Sequence, residues 1–177
     1  LDHLLRFWRA PHMELYIPCT YMLWALTAAM SRWVAPQPTG DTPLDPQFFH
    51  SLNLLVHLMT VLVVWRIVCL LLGRTVREGQ RPAHDPSRVR VAWAACGGAL
   101  LFALHPFQVE TVAWASGFKD VLCGCLSCIA IWQYLCYARG HGEATTSDHP
   151  APVYAPRPLR HYELATGVFA LALLAKP

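Results

Sequence analysis

Phe48 to Leu72 reads FFHSLNLLVHLMTVLVVWRIVCLLL, and this stretch decides the fold. At a rise of 1.5 Å per residue, about 25 helical residues reach about 37 Å, enough to cross a hydrocarbon core of about 30 Å with some tilt. Its polar residues are patterned. His50, Asn53, His57 and Thr60 stand at i, i+3, i+7 and i+10, one face of a helix. Polar groups are costly against lipid, so this stripe is expected to line the helix bundle or a wet cavity. Arg66, near the far end, points elsewhere and is expected to snorkel toward water.

Working outward, the same alternation of apolar runs and short charged stretches recurs along the chain. Ala35 to Gln47 carries Pro36, Pro38, Pro43 and Pro46 with Gly40, Asp41 and Asp45, and reads as a loop. Before it, Tyr16 to Val34 is apolar but has Pro18 near its start and is diluted by Thr20, Thr27 and Ser31. Residues 1–34 are therefore read as an interfacial helix followed by an interfacial or spanning one. Downstream, Gly73 to Arg90 is basic, and Asp85-Pro86-Ser87 reads as a helix start. Transmembrane helices are predicted at 48–72, 86–105, 119–137 and 160–176, with cytoplasmic loops at 73–85 and 138–159. The Gly97-Gly98 pair is expected to admit a close helix neighbour. Leu1 is not a start methionine and the chain stops after an apolar run, so 1–177 is read as a fragment of one membrane domain.

The totals agree with this division. The chain is 55% hydrophobic and 14% charged over 177 residues, well under the roughly 25% charge of soluble domains. The expected fold class is all-α, a polytopic transmembrane helix bundle. A net charge of +3, scattered along the chain, gives no basis for nucleic-acid binding. Six of the seven cysteines lie inside apolar runs, where a free thiol acts as a small hydrophobe. Phosphate-cradling glycine loops, nucleophile elbows and paired-His zinc motifs are missing from the sequence.

Loop charge sets an orientation. Arginines gather after Leu72 and after Tyr137, whereas Ala35 to Gln47 has no Lys or Arg, so the arginine loops are expected to be cytoplasmic. His105, Glu110, Lys119, Asp120 and Lys176, with the start of the His50/Asn53/His57 stripe, then fall together at the opposite membrane face. His105 with Glu110 could bind a metal or a phosphate-linked head group, or move protons, or could simply end a helix at Pro106. Lys119-Asp120 could neutralise and orient a phosphate, or form an ion pair at a helix start. The His/Asn stripe is read as interhelical hydrogen bonding, and Cys123, Cys125 and Cys128 lack the ligand spacing of a zinc site.

Several segments, taken in order, carry a resemblance. They are Tyr16-Ile17-Pro18-Cys19-Thr20-Tyr21, Phe49-His50-Ser51-Leu52-Asn53-Leu54-Leu55-Val56-His57, and His105-Pro106-Phe107-Gln108-Val109-Glu110-Thr111-Val112-Ala113-Trp114. Lys119-Asp120 and Leu174-Ala175-Lys176-Pro177 follow. Together they resemble the membrane part of the transmembrane-and-tetratricopeptide-repeat proteins and their bacterial relatives, within the GT-C glycosyltransferases that include the protein O-mannosyltransferases. The resemblance implies transfer of a sugar from a polyprenyl-phosphate donor to a Ser or Thr hydroxyl of a protein acceptor, on the non-cytoplasmic face. It implies a multi-pass protein of a bacterial inner membrane or the endoplasmic reticulum membrane, and a divalent metal, Mg or Mn, holding the lipid phosphate. It implies catalytic roles for His105 and Glu110, phosphate or donor contacts for Lys119, Asp120 and Lys176, and bundle-lining positions for His50, Asn53 and His57. The family's first membrane helix and acidic pair are expected before Leu1, and its repeats after Pro177, so the chain alone is expected to be inactive. A transporter or channel segment and a non-catalytic membrane scaffold are the competing readings. Conduction needs polar residues through the full membrane depth, whereas Val63, Leu126 and Ile129 are apolar.

Overall fold

In the computed structural model the described residues are 7–9, 15–34, 44–76, 86–145 and 159–176, and every extended element among them is a helix. They form α1 (Pro18–Val34), α2 (Pro46–Val76), α3 (Pro86–Ala103), α4 (Pro106–Ala113), α5 (Phe118–Thr145) and α6 (Leu159–Ala175). A short 3-10 turn, Ala115–Gly117, joins α4 to α5. The fold is all-α. Of the expected helix within 1–15, residues 7–9 are described and helical; its remainder up to residue 14, the Pro-rich stretch 35–43 and most of both arginine loops lie outside the described residues.

Proline sets the starts. α1, α2, α3 and α4 each begin at a proline, whose missing N–H is one that a first turn leaves unbonded and whose φ is already helical. Asp45 completes the start of α2: its carboxylate accepts the backbone N–H of Gln47 at 2.9 Å. The backbone N–H of Asp45 in turn donates to the Ser31 hydroxyl at 3.3 Å, tying α1 to the beginning of α2. At their other ends α2 and α5 run on to Val76 and Thr145, into stretches the sequence assigns to loops. A helix has no reason to stop where lipid stops. Glycine at 73 weakens it by only about 1 kcal/mol, and nothing between Leu72 and Val76 forbids it.

What is buried and what is exposed are inverted relative to a soluble bundle. Small and polar side chains fill the interior: Ala95, Ala99, Ala130, Ala165, Ala172 and Ala175, with Thr20, Asn53, His57 and Thr60. Leu54, Leu55, Leu58, Leu62, Trp93, Leu101 and Phe169 face outward. This is the arrangement expected where lipid surrounds the helices, since small residues let backbones approach and large apolar ones need no shelter. The glycine pair contributes less than its sequence promises. A Cβ added at Gly98 would meet Val68 of α2 at 4.0 Å, ordinary contact, and one at Gly97 would meet nothing.

Two stretches, Pro46–Gly73 and Ala115–Arg139, are long and apolar enough to cross a membrane. A third span results if α3 and α4 are taken together, Val89–Ala103 and Pro106–Ala113, bent by 55° at the break between them. α6 has 17 residues, about 25 Å of helix. The chain is an integral membrane protein. α5 packs chiefly on α6 and α2, and α2 chiefly on α3 and α5. The starts of α1, α2 and α5 thereby meet the end of α6, around a small apolar cluster of Phe118, Leu122 and Ala175 bordered by Cys19, Leu52 and Val56.

Candidate functional site

The polar residues of this end are placed by backbone carbonyls. Thr20 is fully buried, and its hydroxyl donates to the Ala175 carbonyl at 2.9 Å, joining residues 155 apart in sequence. That bond satisfies one of the carbonyls that the last turn of α6 leaves open. Asn53, 1% exposed, donates from Nδ2 to the carbonyls of Val112 at 3.2 Å and Trp114 at 2.8 Å. The end of α4 is thus clamped onto α2. Its Oδ1 is buried and accepts no hydrogen bond, a cost tolerated where two donors are well used. His57 Nε2 lies 3.3 Å from the Ala103 carbonyl, at the last turn of α3, which makes Nε2 the protonated nitrogen. Thr60 bonds back to the Val56 carbonyl within its own helix at 2.8 Å. His50, one turn before Asn53 and nearer the helix start, is exposed.

Asp120 and Lys176 form the charged centre of this end. Asp120 sits in the first turn of α5 and Lys176 follows the last residue of α6, and their side chains make an ion pair. Phe118 and Ala175, buried in one cluster, fix that approach. Lys176 is 48% and Asp120 34% exposed, so both remain open to a solute. The hydrogen bond and charge of Asp120 hold the Lys176 ammonium above the ordinary lysine range. Lys119, which precedes Asp120 in the same turn, is half-buried and lies outside the pair.

Glu110 lies on α4, and His105 stands immediately before it. His105 caps the helix, its Nδ1 accepting the N–H of Phe107 at 3.4 Å, with its ring stacked on that of Phe107 at a centroid distance of 5.5 Å. Glu110 is exposed on the helix surface. Among the described residues no hydrogen bond or ion pair joins either to Lys119, Asp120 or Lys176. Nor do three His, Cys, Asp or Glu side chains converge on a cation position among them.

Two positions matter that sequence reasoning passes over. Thr20 looks like a dilution of an apolar run, yet it holds the end of α6. Gly117 closes the turn between α4 and α5 so tightly that a Cβ there would collide with the Thr111 carbonyl. Its signal is slight: one glycine between two helix-forming stretches, ahead of Phe118.

No family profile matches the chain, and no solved structure matches it. The chain is 34% identical over 105 residues, 57% of its length, to the Drosophila melanogaster protein named Protein O-mannosyl-transferase Tmtc3. That stretch spans 11% of the length of the relative. Over these residues the chain is related to that protein.

Proposed function

We propose that this chain is part of a membrane glycosyltransferase that moves a sugar from a polyprenyl-phosphate donor to a protein hydroxyl at the non-cytoplasmic face. The observation that carries the reading is the Asp120–Lys176 pair, in a chain similar to a protein named as an O-mannosyltransferase. Displacement at an anomeric carbon leaves charge on the departing phosphate, which a fixed ammonium stabilises. Lys176 is suited to that task because Asp120 both keeps it charged and aims it. Deprotonation of the acceptor hydroxyl needs a base, and Glu110 and His105, exposed on the neighbouring α4, are the groups of the right chemistry. The polar stripe on α2 supports this reading over a conduction path, because Asn53, His57 and Thr60 are engaged with backbone carbonyls.

The test is transfer of radiolabelled sugar from a polyprenyl-phosphate donor to protein, by the full-length protein in membranes. Lys176→Met and Glu110→Gln are compared with the wild type at equal expression. Transfer that collapses in both supports the enzyme and these roles. Transfer untouched by Glu110→Gln keeps the enzyme and removes Glu110 from its site. Absence of transfer from every polyprenyl-phosphate sugar tried refutes the reading, and solute uptake becomes the next assay.

A further inference from the structure

The amphipathic behaviour of α4 has no role in the reading above. No residue of α4 is buried, although it lies in sequence between α3 and the membrane-spanning α5. Its inward side carries Gln108, Thr111 and Val112, which are half-buried against the bundle. Its outward side carries Phe107 at 78% exposure, Val109, Glu110 and Ala113, with Trp114 immediately after the helix at 66%. Two ties hold the helix in this attitude: the Asn53 amide on the carbonyls of Val112 and Trp114, and the close approach of Gly117 to Thr111.

We propose that the outward face of α4 is a lipid-contact surface lying in the head-group layer of the bilayer. The first argument is continuity. Leu100 and Leu101 at the end of α3, Leu104 at the break and Phe107 in the first turn of α4 are all exposed large apolar side chains, so exposed apolar residues run on through the 55° bend. A surface that is lipid-covered before the bend does not become water-covered one turn later without leaving large apolar side chains in water. The second argument is depth. Glu110 shares the outward face, three residues from Phe107 and four from Trp114. A carboxylate is costly in hydrocarbon, whereas aromatic rings beside a charge suit the boundary between lipid and water. A helix that turns away from its span at that level, with rings and a carboxylate on one side, rests along the interface. Its partner is the phospholipid itself. This surface stands whether or not the chain transfers sugar. If it does, Glu110 faces the layer in which a lipid-linked phosphate would arrive.

Photochemical capture tests this in the full-length protein reconstituted into vesicles of tritiated phosphatidylcholine. p-Benzoylphenylalanine is introduced singly at Phe107, Trp114 or Thr111, and at Leu101 of α3 as a lipid-facing control. Phe107 and Trp114 are exposed, so the larger ring needs no space in the bundle. After irradiation, tritium is expected on protein labelled at positions 107 and 114 at a level comparable with position 101. At position 111 label is expected to fall several-fold, with internal protein adducts instead. Label at 101 but not at 107 and 114 overturns the proposal, as do protein adducts in place of lipid at 107 and 114. Sugar transfer by the same wild-type vesicles is a separate readout, so failure of one reading does not imply failure of the other.

Discussion

The two ends of the bundle are built differently. At one, side chains from the starts of α1 and α2 bond backbone carbonyls of distant helices: Thr20 to Ala175, Asn53 to Val112 and Trp114, His57 to Ala103. At the other, contacts run between side chains. His161 Nδ1 and Gln133 Oε1 are 2.7 Å apart, and the rings of Tyr137 and Tyr162 lie 5.3 Å apart. Between α5 and α6 there is an open apolar groove of about 350 Å³, lined by Ser127, Ile131, Tyr134 and Phe169 among others. A carbonyl cannot change rotamer, so the first kind of contact fixes where turns and helix ends sit. The second kind adjusts when a side chain changes. The polar end should therefore be intolerant of substitution and the groove end forgiving.

The largest effect is expected at Gly117. Alanine there places a methyl group against the Thr111 carbonyl, which belongs to a helix already clamped by Asn53. Overpacking against backbone costs about 1–3 kcal/mol or more when nothing flexible can yield. Thermal unfolding of Gly117→Ala in detergent should show a lower midpoint, together with faster proteolysis between α4 and α5. An unchanged midpoint would mean that the turn relaxes freely and that this end is no stiffer than the other.

Asn53 sharpens the same point. Asn53→Ala leaves the Val112 and Trp114 carbonyls without their donor, and membrane-buried hydrogen bonds are worth about 1–2 kcal/mol at most each. Asn53→Asp should be worse, because a carboxylate of the same shape donates nothing when ionised and faces two carbonyl oxygens. The expected order of melting midpoints is wild type, then alanine, then aspartate. Equal midpoints for the two variants would show that packing, not donation, holds α4.

For the Asp120–Lys176 pair stability and activity should separate. Both partners are partly exposed, so Lys176→Met or Asp120→Asn is expected to change stability by no more than about 1 kcal/mol. Sugar transfer, if the proposed function holds, should fall far more. The pH dependence has a definite sign. Lys176 is raised from its ordinary value of 10.5 by Asp120. The stabilisation is therefore complete below that value and lost as pH rises through the higher folded value. Melting midpoints of wild type and Asp120→Asn should thus differ by a constant small amount around neutrality and converge only in strong alkali.

Much of the architecture is legible in the sequence, for reasons that also explain what is not. The span in Phe48 to Leu72 can be read because length and apolarity are sums over many residues, and Pro46, Pro86 and Pro106 mark starts by their own covalent geometry. The burial of Asn53 and His57 follows from helical spacing. Their partners do not, because every residue carries a carbonyl and no side-chain pattern distinguishes Val112 or Trp114 as acceptors. Pro106 announces that α3 ends but not that the chain turns by 55° and continues as a helix. Lys119-Asp120 reads as one local unit, yet the structure pairs Asp120 with Lys176. That pairing depends on α6 returning antiparallel beside α5, a property of the bundle rather than of either segment. Glu110 stands on the exposed side of α4, and among the described residues no bond joins it to the ion pair.

The smallest effect is expected in the groove, and it is the one that makes the contrast quantitative. Ser127 is half-buried on α5 at the wall of the groove, whose other lining residues are chiefly apolar or aromatic. Ser127→Leu fills open apolar space instead of a packed interior, so the overpacking cost at Gly117 has no counterpart here. Replacing a hydroxyl by a branched hydrocarbon in a lipid-exposed groove also gains little, because lipid already covers the surface and burial there has no water to exclude. The two terms are small and opposed, and the midpoint should stay within the change produced by about 0.5 kcal/mol. A shift as large as that of Asn53→Ala would mean that the groove is closely packed by another part of the full-length protein. The difference between the two ends would then be one of coverage, not of how their contacts are made.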